Sequence, residues 1–122
     1  MPIALLHRAA QVSFWGGLAF AFYEAVVPAS QTLPLFPWDK AEHFVAFYVL
    51  TGLAVAAYPR RSVFLIGGLL SAFGALIEFV QAIPSLHRDA DFHDWIADSI
   101  AICAALSPML LVWWRNQFRE SP

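Results

Sequence analysis

Charged residues are scarce in this sequence. They make up 13% of its 122 residues, whereas 60% of the residues are apolar. Ordinary soluble domains are about 25% charged and about 45–50% apolar. A water-soluble fold this short keeps much of its surface exposed, so it could not hide so many apolar side chains. The surplus of apolar side chains therefore needs an apolar environment outside the protein, and a lipid bilayer provides one.

Cysteine and excess positive charge are almost missing as well. Cys103 is the single cysteine and lies in an apolar run, which is typical of a small packing residue, so no internal disulfide can form. The net charge of −2 gives no electrostatic reason to expect a nucleic-acid partner. Alternation of apolar and polar residues, which a membrane β-barrel needs, is absent from runs such as LIGGLLSAFGALIEFV. Helices are therefore the expected spanning elements.

Four apolar stretches are long enough, or nearly so, to cross a bilayer, which takes roughly 20 residues. They cover about residues 8–27, 40–58, 62–83 and 92–114, and prolines and charges separate them. The sequence predicts an all-α protein: an integral membrane bundle of four transmembrane helices, forming a single domain over residues 1–122.

The basic residues are divided unequally between the two sides of this predicted bundle. Lys40 and Arg88 fall on one side, at the first and third connections. The other side, with both termini and the second connection, holds Arg8, Arg60, Arg61, Arg115 and Arg119. Because basic residues accumulate in cytoplasmic segments, both termini are predicted to be cytoplasmic. The first and third connections then face outward.

Small residues on the third span allow a neighbouring helix to come close. Gly67, Ser71 and Gly74 recur at spacings of four and seven residues, and Gly68 and Ala75 flank them. The face they form is predicted to pack inside the monomer, and the alternative is a homodimer.

Polar residues gather at the outer ends of spans two, three and four. Lys40 and His43 share one helix face, since they are three residues apart, and Glu78 and Gln81 share another. The last motif is an aspartate stripe that leads into the fourth span. Together the candidate ligand-binding residues are Lys40, His43, Glu78, Gln81, Arg88, Asp91, Asp94 and Asp98.

Depth in the bilayer makes Glu78 and Asp98 the most informative members of this set. Both are predicted to lie one to two turns inside the outer face, where an ionisable group costs about 2.5–3.5 kcal/mol. Such residues usually face the bundle interior, pair with a partner and carry function. Lys40, His43 and Arg88 are the candidate partners, and His43, Glu78, Arg88 and Asp94 are predicted to converge in one pocket.

Simpler roles are open for several of the polar residues. Asp39 suits the N-cap of the second span, and Asp91 and Asp94 suit the start of the fourth through the helix dipole. There is no cysteine cluster and no His-x-x-x-His spacing, so no zinc site is indicated. Oxygen ligands of this kind suit Mg²⁺ or Ca²⁺ in principle, but the sequence calls for no metal and no cofactor.

The three motifs, in this order and on these spans, resemble the VanZ-like family. That family has an Asp-Lys-x-x-His-Phe opening, a Glu-x-x-Gln on the next span and an Arg-x-x-Asp-x-x-Asp-x-x-x-Asn-x-x-Gly pattern leading into the last. The resemblance covers about residues 37–110. This sequence departs from it at Asp98, where the family has Asn, and at Ala101, where it has Gly. The matching residues are Asp39, Lys40, His43, Phe44, Glu78, Gln81, Arg88, Asp91 and Asp94.

The resemblance implies a bacterial cytoplasmic-membrane protein of the cell envelope. The name member of the family is linked to resistance to teicoplanin, a glycopeptide that acts on envelope precursors outside the membrane. A role in glycopeptide resistance is therefore what the resemblance implies for this chain.

Three functions fit the polar residues. In the first, the chain binds or transports an anionic envelope lipid, such as a polyprenyl phosphate or lipid-linked precursor, with Lys40, His43 and Arg88 on the head group. In the second, it is a membrane-embedded hydrolase of a lipid phosphate, with His43 as base or nucleophile and Asp94 or Glu78 orienting it. In the third, it is an accessory protein whose polar residues only hold its helices together.

Overall fold

The computed structural model describes residues 2–27, 39–84 and 91–119, with the backbone alone at Asp39, Lys40 and Arg119. This part of the chain contains four α-helices and no strand, so the prediction of an all-α four-helix protein is confirmed. The helices are α1 Ile3–Val26, α2 Asp39–Ala57, α3 Val63–Gln81 and α4 Phe92–Arg119.

The helices α1 and α4 are longer than the apolar stretches that predicted them. α1 begins at Ile3, directly after the extended Pro2, because the residues that follow Pro2 are good helix formers although His7 and Arg8 come soon after. α4 continues beyond Trp114 to Arg119. Polar residues end an apolar run without ending a helix, so hydropathy alone gives these two boundaries wrongly.

The helices run alternately up and down. Gln11, early in α1, donates its side-chain amide to the carbonyl of Ala57 at the end of α2, over 3.3 Å. Gln81, at the end of α3, donates in the same way to the carbonyl of Ala25 at the end of α1, over 3.1 Å. The start of α1 therefore lies beside the end of α2, and the ends of α1 and α3 lie together.

This arrangement gives the bundle two chemically different ends. The ring of Phe64 at the start of α3 packs edge-on against Trp113, late in α4, with centroids 5.2 Å apart. One end, called the basic end here, therefore collects the start of α1, the α2–α3 turn and the last part of α4, and it carries His7, Arg8, Arg60, Arg61 and Arg115. The opposite end, called the acidic end, carries His43, Glu78, Asp91, Asp94 and Asp98.

Close helix packing depends on α3 glycines. A Cβ placed on Gly67 would lie 3.0 Å from Cδ1 of Leu106, and one on Gly74 would lie 3.5 Å from the Phe47 ring. The face that the small residues form is thus covered by α4 and α2 of the same chain. The homodimer through this face stays a prediction.

The outside of the bundle exposes many large apolar side chains, unlike the surface of a typical soluble protein. The interior does contain apolar side chains such as Phe47 and Ile77. It also buries four polar or charged residues, namely Thr51, Gln81, Asp94 and Asp98. Large apolar side chains are exposed on every helix, among them Phe20, Val49, Leu69 and Leu111.

Two of the helices are long and apolar enough to cross a membrane. They are α3, with a mean hydropathy of 2.2 over its 19 residues, and the Phe92–Phe118 segment of α4, with a mean hydropathy of 1.8. α1 and α2 are not clearly spans, because α1 contains charged residues near both ends and the apolar part of α2, Ala41–Ala57, is shorter.

Candidate functional site

His43 joins α2 to α4 at the acidic end of the bundle. Its Nδ1 lies 3.2 Å from Oδ1 of Asp98, and its Nε2 lies 3.8 Å from Oδ2 of Asp94. Asp94 and Asp98 are four residues apart, so one face of α4 presents both carboxylates to the same imidazole ring. Asp98 is fully buried and Asp94 is 4% exposed. Each ring nitrogen of His43 therefore faces an interior carboxylate.

Glu78 connects α3 to the first turn of α4. Its Oε2 accepts a hydrogen bond of 2.8 Å from the backbone N–H of Asp91, a group that has no partner within the helix. Glu78 also lies one turn after Gly74 on α3, and a Cβ at Gly74 would be 2.9 Å from Oδ2 of Asp98, so Glu78 is on the face of α3 that meets Asp98. The structure thus brings together four of the predicted residues, His43, Glu78, Asp94 and Asp98, which we call the polar cluster.

Asp91 has a local role at the start of α4. Its Oδ1 accepts a 2.9 Å hydrogen bond from the backbone N–H of His93 and lies 2.9 Å from Nδ1 of the same residue. This is the geometry of an N-cap, a role that the sequence suggested for Asp39, whereas for Asp91 it suggested only a favourable interaction with the helix dipole. Asp94, in the first turn of α4, has a contact beyond its own helix, because its carboxylate lies beside His43 of α2.

Gln81 and Glu78 contact different helices. It is 3% exposed, and its amide nitrogen is committed to the carbonyl of Ala25 in α1. The spacing of Glu78 and Gln81 predicts a shared face, but the two side chains use that face to reach α4 and α1 respectively.

Three buried oxygens of these residues have no hydrogen-bond partner among the described residues. They are Oε1 of Glu78, Oε1 of Gln81 and Oδ2 of Asp98. Leaving a buried acceptor without a donor costs about 1–3 kcal/mol. The acidic end therefore offers acceptors to a group that supplies donors, such as a hydroxyl, an ammonium or a proton.

Gly74 provides the space that Asp98 occupies. A Cβ at this position would lie 2.9 Å from Oδ2 and 3.5 Å from Cβ of Asp98. Sequence reasoning assigned Gly74 to helix packing and missed that its hydrogen atom makes room for a carboxylate.

Trp95, Ser71 and Ser99 form a second polar contact between α3 and α4 that sequence reasoning missed. The indole nitrogen of Trp95 donates to the carbonyl of Ser71 over 3.0 Å, and the hydroxyls of Ser71 and Ser99 lie 3.0 Å apart. The sequence was interpreted as placing Ser71 on a face of small residues, without a hydrogen bond.

A groove of about 360 Å³ opens on the outside of the α3–α4 pair, beside the polar cluster. Its wall is apolar except for Glu78. The residues that line it are Ala75, Glu78, Phe79, Ala82, Phe92 and Trp95.

Two predicted ligand-binding residues, the side chain of Lys40 and all of Arg88, lie outside the described residues. The predicted convergence of Arg88 with the polar cluster therefore stays a prediction. Within residues 2–27, 39–84 and 91–119, no group of three or more His, Cys, Asp or Glu side chains is arranged to hold a metal ion.

No protein-family model, no curated protein and no solved structure matches this chain. The resemblance to the VanZ-like family therefore depends on the three motifs alone and stays a prediction.

Proposed function

We propose that this chain is a VanZ-like protein of the bacterial cytoplasmic membrane that holds an anionic envelope lipid, or a lipid-linked precursor, at the acidic end of its bundle. The observation that carries the proposal is the apolar groove in which Glu78, the one polar lining residue among those that the structure describes, belongs to the polar cluster. A role in glycopeptide resistance follows from the family resemblance, and the lipid is the means by which the chain would act on the envelope.

A membrane location is supported by the distribution of side chains. A helix that passes a hydropathy test because it is the core of a soluble protein is mostly buried, whereas 22% of each qualifying segment of α3 and α4 is buried here. Neither segment is at the N-terminus, where a signal sequence would be. Apolar exteriors on all the described helices extend the same argument to α1 and α2, and four spans are proposed.

Labelling of single cysteines should find both termini in the cytoplasm. The basic end carries arginines at the start of α1, in the α2–α3 turn and in the last part of α4. Because basic residues accumulate in cytoplasmic segments, this end should face the cytoplasm. With Cys103 replaced, cysteines at positions 61 and 117 should react only after the membrane is made permeable, and a cysteine at position 87 should react from outside. Reaction of 61 or 117 from outside, without reaction of 87, would overturn the proposed topology.

The groove and the polar cluster fit different parts of one lipid. The apolar wall suits a hydrocarbon chain lying along α3 and α4. Glu78, which lines the groove, stands where the head group would lie, and its carboxylate is an acceptor for the hydroxyl groups of that head group. Lys40 and Arg88 supply the positive charge that a phosphate needs, by their positions in the sequence.

Glu78→Gln should reduce the lipid that co-purifies with the protein at least tenfold while leaving the fold nearly intact. Glutamine keeps an oxygen that accepts from the N–H of Asp91, but it removes the negative charge that, in this proposal, holds Lys40 and Arg88 in place for the phosphate. Native mass spectrometry of the detergent-solubilised protein measures the bound lipid, and teicoplanin susceptibility of cells measures function. Wild-type behaviour in both assays would refute a charged role for Glu78.

A pair of apolar substitutions gives the matched control for the groove. Phe79→Ala removes part of the groove wall, whereas Leu69→Ala removes another exposed apolar side chain of α3, away from the groove. Lipid retention should fall in the first variant and persist in the second. Equal retention in both would place the lipid elsewhere.

An accessory role is the second candidate, and one observation favours it. Each polar side chain at the acidic end also joins two helices: His43 joins α2 to α4, Glu78 joins α3 to α4 and Gln81 joins α3 to α1. The double variant Glu78→Gln with Lys40→Met removes both charges together. Recovery of teicoplanin resistance in this double variant would favour the accessory role, whereas a stable double variant that stays susceptible would favour lipid binding.

A further inference from the structure

A second cavity lies at the basic end, far along the bundle from the polar cluster. Its volume is about 450 Å³, and it is formed where the start of α1 meets the turn between α2 and α3. His7, Ala57, Tyr58, Pro59, Arg60 and Arg61 line it. The backbone N–H of Arg61 donates to the carbonyl of Tyr58 over 3.1 Å, and this tight turn fixes both arginines at the rim.

Two carbonyl groups on this wall already accept a hydrogen bond, and one hydroxyl group keeps its hydrogen to donate. The Ala57 carbonyl takes the amide of Gln11, and the Tyr58 carbonyl takes the N–H of Arg61. The Tyr58 hydroxyl accepts from the indole nitrogen of Trp15 over 2.8 Å, which leaves its own hydrogen to donate. A cavity with this balance selects a ligand that is rich in acceptors.

Positive charge narrows the choice to an anion. Arg60 and Arg61 are exposed and present planar guanidinium groups, which match the oxygens of a phosphate, and His7 lies across the cavity from them. The N-terminus of α3, capped by Ser62, follows directly and adds the positive end of a helix dipole. The guanidinium groups and the N-terminus of α3 thus surround one cavity with positive charge, and a bound anion would neutralise that charge.

We propose that this cavity binds the phosphate of an anionic phospholipid in the inner leaflet. Exposed apolar side chains adjoin the cavity residues in sequence, Leu6 beside His7 and Phe64 just after the turn, and these suit the acyl chains that a free phosphate lacks. The proposal rests on the proposed membrane location but on no residue of the polar cluster.

The test measures thermal unfolding of the full chain in a neutral detergent, titrated with phosphatidylglycerol, phosphatidylcholine or inorganic phosphate. Phosphatidylglycerol should stabilise the wild-type protein and the other two should not. Each basic residue near an anionic lipid contributes about 1 kcal/mol, which is about fivefold in affinity. R60Q and R61Q should each weaken the response to phosphatidylglycerol about fivefold, and Y58F should weaken it severalfold.

Arg115→Gln is the matched control, because it removes one exposed arginine at the same end of the bundle but outside the cavity. Its response to phosphatidylglycerol should stay within about twofold of wild type, less than the effect of one arginine at the cavity. An equal loss in R115Q, or an unchanged response in the R60Q/R61Q double variant, would overturn the proposal. So would stabilisation by inorganic phosphate as strong as that by the lipid.

Failure of this inference can be distinguished from failure of the proposed function. A chain that inserts into vesicles but responds alike to both lipids would contradict the inner-leaflet site alone. A chain that does not associate with vesicles at all would contradict the proposed membrane location as well.

Discussion

Asp98→Ala should lower the free energy of unfolding by about 2–3 kcal/mol, the upper part of the range for leaving a buried polar partner without its hydrogen bond. The Asp98 carboxylate is fully buried and lies 3.2 Å from Nδ1 of His43, so it is a direct link between α4 and α2. Its loss leaves an imidazole nitrogen facing an empty space in the interior. Unfolding in detergent, followed by tryptophan fluorescence, measures the change.

Asp98→Asn is the control for this prediction, because asparagine keeps the size of the side chain and an oxygen that can accept from His43. The cost should be about 1 kcal/mol, that of weakening one hydrogen bond. If Asp98→Ala were as stable as wild type, the carboxylate would not be what holds α2 to α4.

Gly74→Ala should destabilise the protein by about 1–3 kcal/mol, the range typical of overpacking in an interior. The added Cβ would lie 2.9 Å from Oδ2 of Asp98, which cannot swing away freely because its other oxygen lies beside His43. The Phe47 ring, 3.5 Å away, limits movement on the other side. The same fluorescence measurement applies.

Gly68→Ala is the matched substitution on the same helix. No described atom outside the helix backbone lies within 4 Å of the position its Cβ would take. Alanine is a better helix former than glycine by about 0.8–1.0 kcal/mol, so this variant should be as stable as wild type or more so. Equal destabilisation by both variants would show that α3 tolerates no side chain at either position and that Asp98 is not the reason.

The positions of the helices could be predicted from the sequence because apolar runs and prolines mark them directly. The predicted start of α2 at residue 40 and of α4 at residue 92 lie within one residue of the observed Asp39 and Phe92. The ends of α1 and α4 could not be predicted in this way, since His7 and Arg115 continue a helix while leaving the apolar run. Helix propensity and hydropathy measure different things at such positions.

The membership of the polar cluster could be predicted in part for a related reason. Periodicity places Asp94 and Asp98 on one face of a helix, and similar depth brings Glu78 to the same level. Which residues touch depends on how far each helix is rotated about its axis, and spacing within one helix does not record that. Hence the contact of Gln81 with α1 and the space at Gly74 were found only in the structure.

The exposed apolar residues and the buried polar residues are separate sets, and this separation has a practical consequence. Side chains such as Phe20, Leu69 and Leu111 point away from the bundle, so they contribute little to how its helices recognise one another. Exchanging such positions for glutamate, lysine and glutamine would leave His43, Glu78 and Asp98 among their present neighbours. Polar substitutions at the exposed apolar positions should therefore give a water-soluble four-helix bundle. The contacts of His43, Glu78 and Asp98 can then be studied in that variant without detergent.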